Sequence, residues 1–272
     1  MHTIRQPAVA GAFYPGNKQV LASDVDTLLA AAKPEHGSAC PKAIIVPHAG
    51  YIYSGQTAAA AYARLSPAHD TIKRVILLGP VHRVPVRGLA LPGVDAFATP
   101  LGEIELDYAA TATLTDMRQV LVDPAAHALE HALEVQLPFL QTVLDDFKLV
   151  PLAVGDATPP EVAEVLDALW GGPETLIVIS SDLSHFLPYH TAQMVDAETV
   201  QSILDMDAPL THAQACGGTP INGLMLAATR HHLRPQLLDL CNSGDTAGDK
   251  DRVVGYAAFA FMEEAGNVHA AI

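Results

Sequence analysis

His48, His82, Asp182, His185 and Asp245 are the side chains whose types and settings in this sequence can do chemistry together. Each follows a short apolar run: 42–47 (KAIIVP) leads into His48-Ala49-Gly50-Tyr51, and 73–79 (KRVILLG) into Pro80-Val81-His82. Likewise 175–180 (TLIVIS) leads into Ser181-Asp182-Leu183-Ser184-His185, and 236–241 (QLLDLC) into Asn242-Ser243-Gly244-Asp245. Imidazole and carboxylate are ligands that iron, zinc and manganese accept, and two His with one carboxylate leave positions open for substrate and oxygen. A single His after a strand usually serves the surface or a hydrogen bond; repetition at four strand ends is what points to a metal site. His185, whose unperturbed pKa lies near neutrality, suits proton transfer beside such an ion. Asp182 has a second reading as the cap of a following helix, which leaves His185 unexplained.

Other residues carry weaker signals. In the segment 127–138, His127 and His131, like Glu130 and Glu134, are four apart, on one face if the segment is helical. Zinc proteases space two His in this way, but they need a Glu directly after the first, where this chain has Ala128. Two readings stay open: a polar helix face meeting solvent, or His131 and Glu134 turned inward to orient ligating imidazoles. Gly50 and Gly55 flank Tyr51 and allow tight backbone turns beside a ligand, without the Gly-Lys-Ser/Thr ending of a phosphate loop. Cys241, at a strand end, is either a thiolate ligand or a small buried hydrophobe.

The elements that must position these residues alternate. Strands are expected at 42–47, 73–79, 149–154, 175–180, 236–241 and 253–261, with helices at about 18–32, 55–65, 107–118, 128–146, 159–170, 191–206 and 220–232. Pro159-Pro160-Glu161 reads as a helix start. This alternation predicts an α/β fold with a mostly parallel central sheet flanked by helices, in which ligands gather beyond the carboxyl ends of the strands. Residues 80–102 read as loops and a short edge hairpin. No polar linker marks a boundary and no repeat is visible, so a single domain over 1–272 is expected.

Half of the 272 residues are apolar, enough for a sizeable core, and the formal net charge of -15 repels phosphate backbones and anionic lipid. Neither nucleic acid nor a membrane is an expected partner. No apolar run approaches the length of a membrane span, and the opening residues lack the apolar core of a signal peptide. Three cysteines, Cys40, Cys216 and Cys241, do not make a disulfide framework and fit a reducing compartment, so a cytoplasmic location is expected.

Seven segments in order carry a family resemblance: P-H-A-G-Y-I-Y-S-G (47–55), L-G-P-V-H (78–82), T-P-L-G (99–102), E-H-A-L-E-V-Q-L-P-F (130–139), S-S-D-L-S-H (180–185), S-G-D (243–245) and V-G-Y-A-A (254–258). A-V-A-G-A-F-Y-P (8–15) adds to them. Together they resemble the Memo family, known in microbes as protein B of the AmmeMemoRadiSam system. The family is similar in fold to class III extradiol dioxygenases, which hold non-haem iron(II) with two His and a carboxylate. The resemblance implies His48 and His82 as metal ligands, Asp182 and His185 beside the metal, and His185 as acid/base. For the third ligand, animal members place a Cys where this chain has Thr246; Asp245 is the adjacent carboxylate and first choice, ahead of Cys241 and Asp249. His131, Glu134, Tyr51 and Cys241 are then pocket or supporting residues. The implied activity is oxygenase-like, on a small substrate with O₂. The resemblance also implies alternatives: a phosphotyrosine-peptide-binding or redox signalling module, and contact with the other AmmeMemoRadiSam components. Copper or zinc would suit the same ligands as iron, and zinc there would make a hydrolase instead.

Overall fold

The computed structural model describes residues 2–32, 39–207 and 209–263. Around the first site loop the chain forms β1 (Ile4–Arg5), α1 (Lys18–Ala32), β2 (Ala43–Val46) and α2 (Tyr51–Tyr62). There follow β3 (Arg74–Pro80), β4 (Leu89–Leu91), β5 (Ala96–Thr99), β6 (Gly102–Glu105), α3 (Tyr108–Ala112), β7 (Val120–Val122), α4 (Pro124–Ala128) and α5 (Leu137–Val143). The second half holds β8 (Lys148–Val154), α6 (Pro159–Leu169), β9 (Thr175–Ser180), β10 (His185–Leu187), α7 (Tyr189–Leu204), α8 (Gly218–Arg230), β11 (Leu233–Asn242) and β12 (Val253–Glu263).

One nine-stranded sheet runs in the order β10-β12-β2-β9-β3-β8-β4-β7, with β11 also paired to β12. Its centre, β2-β9-β3-β8, is parallel, and the middles of these strands are apolar because they are buried on both faces, with polar residues such as Arg74, Lys148, Thr175 and Ser180 only at their ends. Ile44 and Val46 enter one core layer with α1, α2 and α5; Ala43 and Ile45 enter the other with α6 and α8. The protein is thus α/β, a large central sheet flanked by helices. A second sheet, β1-β5-β6, contains the hairpin expected within 80–102, displaced to Ala96–Glu105.

Three expectations need correction. The strand at 236–241 belongs to β11, which pairs antiparallel with β12, and β12 is antiparallel to β2. Its carboxyl end therefore still reaches the same rim, but the order β11-β12-β2-β9-β3 sets it two strands outside β2. The helix over 128–146 does not form as one piece: α4 ends at Ala128, a 3-10 turn spans Glu134–Gln136, and α5 begins at Leu137. The helix over 107–118 shortens to α3. By contrast, α6 starts as expected, with Thr158 and Glu161 forming a reciprocal capping box. No helix among the described residues is long and apolar enough to cross a membrane.

Candidate metal centre

Because β2, β9 and β3 are neighbours, the loops after them meet. His48 follows β2, Asp182 follows β9 and His82 follows β3. His131 arrives from the interrupted segment between α4 and α5, which lies close against the sheet because Gly79 has no side chain: a Cβ there would stand 3.2 Å from Ala132 Cβ and 3.3 Å from Ser180 Cβ. The result is a triad, His48, His82 and His131, each offering one nitrogen, with these atoms all within 4.8 Å of one another. Ring centroids are 5.3 Å apart for His48–His82, 5.3 Å for His48–His131 and 4.7 Å for His82–His131. Such a cluster can hold a divalent metal.

The hydrogen bonds behind the triad decide which nitrogens are free. Pro47 O can only accept, so the nitrogen of the Gln136 amide faces it, donating at 2.9 Å, and also donates to Ser180 Oγ at 2.8 Å. Ser180 donates its own proton to Ala132 O at 2.7 Å. Its oxygen can therefore only accept from His48 Nδ1, 2.9 Å away, which places the His48 proton on Nδ1 and leaves a lone pair on Nε2. Tyr62 completes the chain by donating to Gln136 Oε1. At His82, Glu130 does the same work: its carboxylate accepts Nδ1–H at 2.8 Å and the His82 backbone N–H at 2.7 Å, freeing Nε2. Burial opposes the Glu130 charge, but the His82 ring and the Ala132 and His82 N–H groups outweigh it and hold the carboxyl at about 2.

Burial keeps the rings of His48 and His131 as electron-pair donors. Burial, reinforced by the charge of His82, lowers His48 to about 3; burial, reinforced by His48, lowers His131 to about 4. Asp182 is buried beside them. Its Oδ1 accepts the His48 backbone N–H at 2.7 Å, and its Oδ2 lies 4.0 Å from His48 Nε2. Burial raises its carboxyl above the ordinary value, against the His48 N–H and the charges of His185 and His131. No helix starts after Asp182, since His185 opens β10; the capping reading is thereby removed. His185 Nδ1 donates to Leu183 O at 2.8 Å, so its Nε2 is also unprotonated in the neutral ring.

The sequence profile of the Memo-like protein family matches residues 5–260. A MEMO1 family protein of Archaeoglobus fulgidus is 37% identical over 275 residues, covering 95% of this chain and 99% of that one. One from Aquifex aeolicus is 36% identical over 272 residues, with 95% and 99% covered, and one from Methanosarcina barkeri is 37% identical over 276 residues, with 94% and 98% covered. The chain belongs to the Memo family. Among solved structures, the uncharacterized protein JW3007 from Escherichia coli K12 aligns at TM-score 0.49 and 13% identity, over 79% of this chain and 98% of that one. That likeness is too distant to bear on function.

In this Memo-family chain the remaining expected site residues lie apart from the triad. Asp245 is turned into its own 3-10 turn, where it accepts the Asn242 N–H and the Tyr189 hydroxyl, and it does not join His48 and His82. Strand order is the reason, since Asp245 sits at the end of β11, two strands beyond β2. Asp249 caps an exposed turn by accepting from Asp251 N. Cys241 faces α2, 3.1 Å from Thr57 Oγ1. Glu134 orients no imidazole: it is fully buried and binds Arg5, the Ala8 and Val9 N–H groups and the Tyr14 hydroxyl, anchoring the N-terminal segment. His127 donates Nε2–H to Ala90 O at 2.7 Å inside the core. Tyr51 is buried with its hydroxyl on Val135 O and lines an open cavity of about 630 Å³.

Sequence reasoning missed Glu130, Ser180, Gln136 and Cys216. Glu130 directly precedes His131, a carboxylate–imidazole pair that the i, i+4 reading passed over in favour of Glu134. Cys216 carries only the faint signal of a Cys-Gly-Gly before a helix. Its Sγ lies 3.4 Å from His48 Nε2, and burial pushes its thiol up to about 12.

Proposed function

We propose that this protein is a metal-dependent enzyme of oxygenase-like chemistry, in which His48, His82 and His131 hold one divalent ion, iron(II) first among them, and His185 moves a proton on a small substrate. The observation that carries the reading is the convergence of three imidazoles, whose offered nitrogens all lie within 4.8 Å of one another, with His185 carried on the same segment after β9 as Asp182. An ion held there supplies Lewis acidity and, where it is iron, redox chemistry with dioxygen.

The chain's own contributions are positional and protonic. Ser180 and Glu130 keep the proton of each ring on Nδ1, so the Nε2 lone pairs of His48 and His82 are the ones presented. Asp182 fixes the loop after β2 through the His48 N–H and keeps Oδ2 as an acceptor near His48 Nε2. His185, its ring oriented by Leu183 O, takes a substrate proton on Nε2 and returns it. The family's likeness to class III extradiol dioxygenases supports the oxygen-dependent form of this reading, and copper or zinc would suit the same donors.

The test is anaerobic loading of untagged protein with iron(II). Expected are one iron per chain, lost in the His48→Ala/His82→Ala double variant, and oxygen uptake with a reduced small molecule from a panel that includes catechols. His185→Ala should retain the iron and lose about 100-fold or more in rate. Stoichiometric iron with no oxygen uptake across the panel would sink the oxygenase reading. One feature favours a second reading as a peptide-binding module: the 630 Å³ cavity is open, is lined by Phe13, Ile52 and Tyr53, and Phe13 packs on His131 at 4.8 Å. Peptide affinity that survives His185→Ala, without turnover, would favour that module.

A further inference from the structure

We propose that the open cavity between α1, α2 and the N-terminal loop binds a small organic cation, a methylated ammonium head of the choline type. The site stands whether or not the imidazole triad holds an ion.

The walls give the first argument. The cavity encloses about 630 Å³, a volume in the range of small-molecule sites, and is lined by four aromatic rings, Phe13, Tyr14, Tyr51 and Tyr53. Asp24 is the one charged residue on it, and none of the described residues on its walls is Lys, Arg or His. The hydroxyls of Tyr14 and Tyr51 are committed to the interior, where they donate to Glu134 Oε1 at 2.6 Å and to Val135 O at 2.8 Å. These two rings, with centroids 5.7 Å apart, therefore offer the cavity carbon rather than hydroxyl. An aromatic face carries a negative quadrupole that attracts a cation, and a methylated ammonium loses little hydration in meeting it. The formal net charge of -15 favours the same sign of ligand. A phosphate-bearing ligand would need Arg or Lys, which these walls lack, and a bare metal ion would need several oxygen ligands where one carboxylate stands.

The second argument is how the sequence builds the cage. Asp24, Thr27 and Leu28 are spaced i, i+3, i+4 on α1, and Tyr53 and Gln56 i, i+3 on α2, so each helix turns one face to the cavity. Gly55 lets the two helices close, since a Cβ there would fall 2.9 Å from Leu28 Cδ1. The Tyr51 N–H donates to Phe13 O at 2.8 Å and draws the N-terminal loop across the start of α2, which sets Phe13 and Tyr14 beside Tyr51. Glu134 pins the same loop through the Ala8 and Val9 N–H groups. The aromatic wall is thus held by bonds made elsewhere, and a ligand meets it with little left to order.

Saturation-transfer NMR and calorimetry with choline test the site in the full chain. Expected are saturation of the choline methyl protons, affinity that falls with added salt, and affinity about 10-fold or more lower for 3,3-dimethylbutan-1-ol, the uncharged isostere. Phenyl phosphate should not compete, and a trimethyllysine peptide should bind no more tightly than choline. Tyr53→Leu, which keeps apolar surface, should weaken choline about 2- to 10-fold, and Asp24→Asn about 2- to 5-fold. Both residues are exposed, so an unchanged denaturation midpoint checks that the fold is intact. His48→Ala/His82→Ala should bind choline as the wild type does. Absence of choline binding, equal affinity for its isostere, or tighter binding of phenyl phosphate overturns the cationic ligand. A trimethyllysine peptide that outbinds choline overturns the small-molecule source. Choline binding untouched by Tyr53→Leu and Asp24→Asn, or lost in His48→Ala/His82→Ala, overturns this cavity as its site.

Discussion

At the scale of single residues, the candidate centre depends on groups that would never touch an ion. Ser180 spends its one proton on Ala132 O and both lone pairs on Gln136 and His48, so it dictates a tautomer rather than merely packing. Ser180→Ala removes that dictation and lets the His48 proton move to Nε2. Metal affinity is expected to fall about 10- to 100-fold, the usual loss when the group orienting a ligating imidazole is removed. Competition titration against a chelator checks it; an unchanged affinity would show that the Ser180 bond is incidental. The sequence made His48, His82, Asp182 and His185 visible, because each directly follows an apolar run that must be a strand. Ser180 was hidden in plain view as the last residue of one such run, since a serine there announces nothing about its partners.

Among the elements, the interrupted segment between α4 and α5 is the instructive one. Its residues read as one helix by periodicity, yet two carboxylates serve other partners. Glu130 accepts the backbone N–H groups of His131 and Ala132, and Glu134 reaches the N-terminal segment at Arg5. An ion pair buried this deeply is costly to break singly, because the surviving charge has no water to turn to. Arg5→Ala is expected to lower unfolding free energy by about 3–5 kcal/mol, measured by urea denaturation. A loss below about 1 kcal/mol, the level of an exposed pair, would contradict the anchoring role. At the other side of the site, Gly217→Ala drives a Cβ into Ser181. It should cost about 1–3 kcal/mol of stability, read by urea denaturation. An unchanged denaturation midpoint would show that the α8 end tolerates the shift.

For the whole molecule, burial of neutral imidazoles makes stability pH-dependent. Burial lowers His48 to about 3 and His127 and His131 to about 4. In the unfolded chain these groups return to about 6.5, so that state binds more protons between about pH 4 and 6.5. Their stabilising contribution is present above that window and is lost as pH falls through it. For metal-free protein the change from pH 7 to pH 5 amounts to at most about 2 kcal/mol for each such ring. Glu130, held at about 2, acts in the same direction but only below its ordinary value near 4.5. Denaturant midpoints at pH 7 and pH 5 test this, with a smaller difference expected in His127→Gln, which leaves the triad intact. Identical midpoints in the wild type would mean that the rings titrate normally in the folded protein.

The sequence by itself determined the alternation of strands and helices, the double-sided burial of the central strands and the rim where chemistry collects. These follow from local patterns: apolar runs of strand length, helix starts such as Thr158-Pro159-Pro160-Glu161, and polar residues directly after strands. Only the tertiary structure decided which rim residues meet. Sheet order put β9 between β2 and β3 and set β11 two strands away, so His48 and His82 converge while Asp245 turns to Tyr189 and Asn242. His131 and Cys216 joined from segments with no strand before them, carried in by close backbone contacts at Gly79 and Gly217. Neighbourhood across a sheet is a property of pairing between distant strands, and no local spacing encodes it.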